Sequence, residues 1–550
     1  GVVSVAGSIG NANTLSTLTL TQSNGATFSG PVATGTSVVL TSTADGQVIR
    51  FAGNLTTPTL TTTNRAYALE ILGTTTTITN ATNFLNTGAL TLGDAVGDTL
   101  NFTGGLTATS ASVVNLAGTF NTNNSPILLG SGTTPVQLNA NVTMGTGTGH
   151  VTFGGLLNGN QELVVNSAGI TSFNALVGSV TPLARITTDA LGTVQINAAS
   201  VATSGTQTYN DAMTLLSNTV LSSTGAGPAG NISFNNTITG DKTLDVNTAG
   251  TTLFDKAVSI GQLTTDLAGF VQVNAPTIAT TGTQTYNDAM TLLSNTVLSS
   301  TGAAAAGNIT FNSTVDGAKT LTVNTAGNTT FNGRVGNTTA LMSLTTDAAG
   351  TTNVNGLSVK TIAAQTYNDD VVVGANAVFS SVGDAVAVPA VPAGNIVFSK
   401  TLTGAFNVDV NTAANTLFND NVNIAQLTTD APGTVQINAA TVTTSGTQTY
   451  NDAMTLLSNT VLSSTGAGAL GNISFNNTIT GDKTLDVNTA GTTLFDKAVS
   501  IGQLTTDLAG FVQINAPTVA TTGTQTYNDA MTLLSNTVLS STGAGALGNI

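Results

Sequence analysis

Apolar and polar residues alternate one by one along most of this chain, in short runs that close on asparagine. Val194-Gln195-Ile196-Asn197, Ile232-Ser233-Phe234-Asn235 and Leu244-Asp245-Val246-Asn247 all read apolar, polar, apolar, Asn. Alternation of this kind puts both apolar side chains on one face of an extended segment, and β-branched residues favour that state. The trailing Asn suits a corner, because it tolerates left-handed backbone angles and can bond its own backbone. Glycine-rich punctuation follows, as in Thr248-Ala249-Gly250 and Thr224-Gly225-Ala226-Gly227. Helical periodicity is nowhere sustained, and frequent Gly and Thr would weaken any helix. The pattern predicts a nearly all-β chain.

The strands recur in a larger unit. Gln-Thr-Tyr-Asn-Asp occurs five times, with Tyr209, Tyr286, Tyr367, Tyr450 and Tyr527 spaced by 77, 81, 83 and 77 residues. Thr-Thr-Asp, ending at Asp189, Asp266, Asp347, Asp430 and Asp507, repeats with the same spacing. The longer periods have locations: four extra residues lie around Arg334 and Met342, and six more lie within Asp384 to Ala393. A packed strand cannot absorb insertions without losing register, so both stretches are expected to be surface loops. Three units sum to 241 residues, and 184–309 matches 425–550 at that offset with 11 differences in 126 positions. Residues 149–550 thus carry a three-unit super-repeat, while 1–148 keep the same style in diverged form, with no linker between them. The chain stops at Gly548-Asn549-Ile550, inside a motif that elsewhere runs on to Phe (Gly471 to Phe475), and is expected to be a piece of a longer protein.

Internal repetition of this kind indicates stacked units. A β-solenoid would divide each 77–83-residue unit into three or four coils of about 20–27 residues, and at ~4.8 Å per coil the chain would extend for on the order of 100–130 Å. The alternative is a string of immunoglobulin-like β-sandwiches, one per unit. Short similar strands within each unit, no tyrosine-corner pattern and no linkers favour the solenoid.

Composition narrows the function. Only 7% of residues are charged, against about 25% in ordinary soluble domains, so the polar surface must consist of hydroxyls and amides. The net charge is −15, and the 11 bases are scattered, which leaves no electrostatic footprint for nucleic acid or anionic membranes. Cysteine is absent, and with it any disulfide framework or thiolate metal site. No apolar run approaches the ~20 residues of a membrane span.

The series Leu344 to Gly350 (Leu-Thr-Thr-Asp-Ala-Ala-Gly), Val354 to Gly356, Gln-Thr-Tyr-Asn-Asp and Gly-Asn-Ile-x-Phe resembles the β-strand repeats of giant bacterial surface proteins, the filamentous-haemagglutinin-like adhesins and autotransporter passenger domains. The resemblance covers 149–550 well and 1–148 in style. It implies a right-handed parallel β-helix, export across the bacterial envelope, and display at the cell surface or in the extracellular matrix. The secretion-signal region and C-terminal anchor of that family do not occur in this stretch.

Candidate chemistry is sparse. Regular carboxylates such as Asp189 and Asp211 could attract calcium, but the nonapeptide and EF-hand patterns are absent, and turn capping by Asp explains them more simply. The repeated tyrosines are expected either to pack at the coil edge with the hydroxyl in water or to offer exposed rings for sugar stacking. His150, the sole histidine, stands where later units have the Asn of Gly-Asn-Ile, which suggests a turn role. No catalytic, cofactor or metal residues are assigned. A polysaccharide-acting enzyme would need clustered carboxylates, and an ice-binding face would need Thr-x-Thr, as at Thr206 to Thr208, on nearly every coil. The insertion, with Asp384, Val388, Pro389, Val391 and Pro392, is the one unit-specific apolar loop and the candidate binding loop. The expected function is a non-catalytic extracellular structural element, adhesin stalk or matrix filament, with a self-assembling sheath or surface layer as the alternative. Partners would be other copies of itself or surface glycans, without nucleic acid or membrane insertion.

Overall fold

The computed structural model describes residues 1–10 and 13–550. It falls into two compact units, Gly1–Ala275 and Pro276–Ile550. Each is a parallel β-solenoid. In the first unit Ile186 pairs in parallel with Gln207, Gln207 with Ile232, Ile232 with Thr252, and Thr252 with Val271. In the second, Leu427 pairs with Gln448, Gln448 with Ile473, Ile473 with Thr493, and Thr493 with Val512. Both series advance by 21, 25, 20 and 19 residues per coil. These parallel ladders identify a solenoid and not a row of antiparallel sandwiches. The diverged stretch follows the same plan, with Ala26 paired to Ile49, Ile49 to Leu69 and Leu69 to Leu90. Pairing also runs through position 148, where Val142 faces Leu163.

Most coils of the regular repeats have three strands, because most strands there pair with the third one along the chain. Arg185–Thr188 pairs with Gln207–Tyr209, Thr193–Ile196 with Ala212–Leu215, and Ser200–Thr203 with Thr219–Ala226. The alternation read from the sequence is the burial pattern of these strands. Val194 and Ile196 are buried while Gln195 between them faces outward. Phe234, Phe311, Phe398 and Phe475, at the ends of the Gly-Asn-Ile-x-Phe strands, are all 1% exposed. Their rings stack along each unit: Phe311 lies 5.4 Å from Tyr286 and 5.0 Å from Phe331, and Phe475 lies 5.5 Å from Tyr450 and 5.2 Å from Phe495. Parallel in-register stacking brings like onto like, so three successive coils build a three-ring column, which ends where Phe331 meets Val354 and Phe495 meets Ile514.

The corners depart from expectation. Among the described residues, the non-glycine residues with positive φ are Asn124 and Ala304, so the trailing asparagines do not turn the chain by left-handed geometry. They form ladders instead. Asn312 Nδ2 donates to Asn287 Oδ1, Asn332 to Asn312, and Asn355 to Asn332, at 2.6, 2.6 and 2.7 Å. Asn312 and Asn332 each both donate and accept, so the corner amides satisfy one another from coil to coil. Glycine is required where a turn closes on itself: a Cβ on Gly230 would sit 2.1 Å from the Gly225 carbonyl oxygen.

Both insertions are loops. Asn337, Thr338 and Thr339 are exposed, while Val335 and Leu341 on either side reach the core. The longer insertion lies between the strands Ala377–Ser381 and Ile396–Phe398, and lengthens its coil to 31 residues, from Gln365 to Ile396.

Candidate functional site

Gln-Thr-Tyr-Asn-Asp is the most repeated chemistry in the chain, and the structure turns it inward. Tyr209 is 1% exposed, Tyr286, Tyr367 and Tyr450 are fully buried, and Tyr527 is partly covered. Both sequence expectations, a hydroxyl in water and a ring offered to sugar, are therefore corrected. The reason is the strand period: Gln207 and Tyr209 lie on the same side of one strand, and that side faces the core. Burial of two polar side chains together is tolerated because they bond each other. Tyr209 OH donates to Gln207 Oε1 at 2.9 Å. Gln207 Nε2 in turn donates to the Ser222 carbonyl at 2.8 Å, with longer bonds to the Val201 carbonyl and Thr203 Oγ1. The same set recurs at Gln284–Tyr286, Gln365–Tyr367, Gln448–Tyr450 and Gln525–Tyr527, with hydroxyl distances of 2.8 to 3.0 Å. Desolvation pushes the phenol of each of these tyrosines well above its ordinary range.

The remaining two residues of the motif are also used internally. Asn210 Nδ2 donates to the Thr188 carbonyl at 2.7 Å and its Oδ1 accepts from Asn235. Asp211 is 1% exposed, and its Oδ1 accepts the Gly192 N–H at 2.8 Å. The Thr-Thr-Asp carboxylates sit nearer the surface and accept backbone N–H groups from the preceding coil. Asp189 takes that of Ser167, Asp347 that of Thr325 and Asp430 that of Thr412, at 2.9 to 3.0 Å. That is the turn-bonding role expected for Asp. His150 keeps the role of the asparagine it replaces, because its Nδ1 accepts the Ile170 N–H at 2.8 Å where Asn231 Oδ1 accepts from Thr251. Among the described residues, no group of three or more His, Cys, Asp or Glu side chains gathers in a way that could hold a metal ion, and no helix is long and apolar enough to cross a membrane.

The insertion forms a small finger. Asp384 and Val391 form an antiparallel bridge, and Asp384 Oδ1 accepts the N–H groups of Val386 and Ala387 at 3.0 and 3.1 Å. Val386 and Val388 at the tip are 89% and 98% exposed. Pro389 and Pro392 are exposed as well, whereas Asp384 and Val391 at the base are half-buried. A shallow groove of about 340 Å³ lies against the finger, lined by Val382, Asp384, Val391, Pro392 and Ala413. The finger thus presents apolar surface to solvent on a base that bonds itself.

Sequence reasoning missed the buried hydroxyls and acids. Thr188, Thr252 and Gln207 are fully buried although each reads as polar and outward. The available signal was the register of the apolar residue two places away on the same strand, such as Ile186 for Thr188. No family model matches the chain, and no curated protein or solved structure is significantly similar to it.

Proposed function

We propose that this chain is a non-catalytic extracellular structural element, an adhesin stalk or matrix filament of the filamentous-haemagglutinin-like kind, whose reach is set by the number of coils. One observation carries the reading. The motif repeated five times, which would be the natural place for a recurrent binding or catalytic site, lies in the core: its Tyr and Gln bond each other within one strand, and Asn210, Asn368, Asn451 and Asn528 bond the preceding coil. What repeats is a way of holding coils in register. Thr, Ser and Asn on the outward positions give a neutral, hydrogen-bonding exterior that suits a matrix outside the cell, and export across a bacterial envelope belongs to the same reading. The finger at Asp384 to Ala393 is the unit-specific place for recognition, of surface glycans or of another copy.

A second reading, a self-assembling sheath or surface layer, draws on a different feature. Leu267 and Phe270 in one unit, and Leu508 and Phe511 in the other, are 58–83% exposed, and apolar side chains so placed favour contacts between copies. Electron microscopy of the purified full-length protein separates the two. Isolated filaments are expected; ordered lateral arrays would replace the stalk reading with the sheath.

A further inference from the structure

Four of the repeats bury an acid that has no base beside it. Asp211, Asp369 and Asp452 are 1% exposed and Asp529 is 8% exposed. In three of these, one oxygen is held by a backbone N–H, from Gly192, Gly433 and Gly510, while Oδ2 of Asp211, Asp452 and Asp529 has no hydrogen-bond partner. The hydroxyls of Thr188, Thr429 and Thr506 are the side-chain groups beside those carboxyls. Hydroxyl and carboxyl can share one hydrogen bond in either direction, Thr429 donating to an ionised Asp452 or a protonated Asp452 donating to Thr429 Oγ1, and only the second leaves no charge buried. At Asp369 the arrangement is different: Thr346 donates to one oxygen at 2.6 Å, and Thr352 donates to both at 2.9 Å. Thr352 occupies the register position filled by Val194 and Val435 in other repeats.

The charged groups facing these acids are themselves acids. Asp189 faces Asp211, Asp347 faces Asp369, Asp430 faces Asp452 and Asp507 faces Asp529, and Asp369 also faces the Tyr367 phenol. No cation stands among them to favour the charged form. We propose that the buried aspartates Asp211, Asp369, Asp452 and Asp529 form a series of pH-sensitive braces, which hold adjacent coils together while protonated and loosen them when ionised. The braces make the solenoid firmer in mildly acidic surroundings than in neutral ones.

Burial pushes the carboxyls of Asp211, Asp369 and Asp452 up to about 6, from an ordinary value near 4. A carboxyl raised on folding binds more protons in the native state. Its stabilising contribution is therefore complete below the ordinary value and is lost as pH rises through the folded one. Between about pH 5 and about pH 7.5, one such group lowers the closing equilibrium of its coil about tenfold by linkage.

The test is hydrogen exchange on the full chain at those two pH values, corrected for intrinsic exchange, read at the Leu427 and Gln448 amides. In the native protein their protection should fall about tenfold on going to the higher pH. In Asp452→Asn it should stay constant, because the amide keeps the Gly433 bond and imitates the protonated acid. Asp241→Asn, at an exposed carboxylate paired with Lys242, controls for net charge and should behave as the native protein does. The native protein's carboxyl carbons, followed by NMR, give a second reading that needs no variant: Asp452 should titrate well above Asp241. Protection that does not fall, an Asp452→Asn variant that falls equally, or carboxyls that titrate together would each overturn the proposal.

Discussion

The Gln448–Tyr450 pair offers the most direct check on the claim that the repeated motif is a coil brace. Tyr450→Phe keeps the ring, and with it the 5.5 Å stack on Phe475, but removes the hydroxyl that donates to Gln448 Oε1 at 2.9 Å. Gln448 is fully buried, so water cannot replace the lost donor. Stranding a buried acceptor costs about 1–3 kcal/mol. Gln448→Leu makes the complementary cut: it strands the phenol and releases the Ser463 carbonyl, held at 2.8 Å, at a similar cost. The double variant leaves two apolar groups in contact and neither stranded. It should lose less than the sum of the single losses, by roughly 1–2 kcal/mol of coupling.

Stacked coils need not unfold together, so a single global melting temperature would blur the effect. Hydrogen exchange at Gln448, whose N–H donates to the Asn472 carbonyl, and at Leu427, whose N–H donates to Thr447, reads the coils concerned. The expected cost corresponds to roughly 5- to 150-fold faster exchange in Tyr450→Phe, with the amides around Tyr286 unchanged. Strictly additive single losses, or a neutral Tyr450→Phe, would show that the pair is packed side by side without bracing anything.

Phe311, held between Tyr286 and Phe331, should cost about 3–5 kcal/mol when cut to alanine, and exchange measurements should find the damage confined to the coils on either side. Thr352→Val, which installs the valine of the other repeats, should raise the titration of Asp369 further, because it removes a donor to the ionised carboxyl; carboxyl-carbon NMR reads the shift. Its destabilisation should be about 1–2 kcal/mol above pH ~6.5 and smaller near pH ~5. Removal of Asp384 to Ala393 should leave the circular-dichroism spectrum and the protection of Ile396 unchanged, since the finger bonds mainly within itself; lost protection at Ile396 would show that the finger is part of the coil.

The fold was legible because its rule is local. Alternation at Val194 and Ile196, loop-like insertions around Arg334 and Asp384, and Asn or His150 at one corner position all follow from neighbouring residues. The motif's role was not legible for a physical reason. Hydropathy assigns Gln207, Tyr209 and Asp211 to water one residue at a time, whereas Gln207 relies on the Ser222 carbonyl and Asp211 on the Gly192 N–H, 15 and 19 residues away, and Tyr209 follows Gln207 inward. The corner asparagines mislead in the same way, since one Asn suggests a left-handed turn and only a stack of coils makes an amide ladder. The finger's exposure could be read from the insertion alone, but the bonds of Asp384 to Val386 and Ala387 that shape it could not.

The strand count also accounts for the larger period. Eleven strands separate Arg185–Thr188 from Gln262–Thr265, and eleven again separate Gln426–Thr429 from Gln503–Thr506. With three strands to a coil, one repeat is three coils and two-thirds of another, so each copy starts on a different face from the last. In the second unit, Ser343–Thr346, Gln426–Thr429 and Gln503–Thr506 do lie in three different sheets. Equivalent residues therefore meet three different environments, and a single repeat cannot be added without turning every later side chain onto a new face. Three repeats, from Arg185–Thr188 to Gln426–Thr429, hold thirty-two named strands, and the bridged segment at Val335 and Leu341 takes the place of one more, which makes a whole number of coils. A duplicated block of that size restores each strand to its original surroundings, which explains why the 241-residue block carries only 11 differences in 126 positions while adjacent repeats have diverged far more. Length can thus be added in threes with the core chemistry intact, as a structural element whose reach depends on coil number requires.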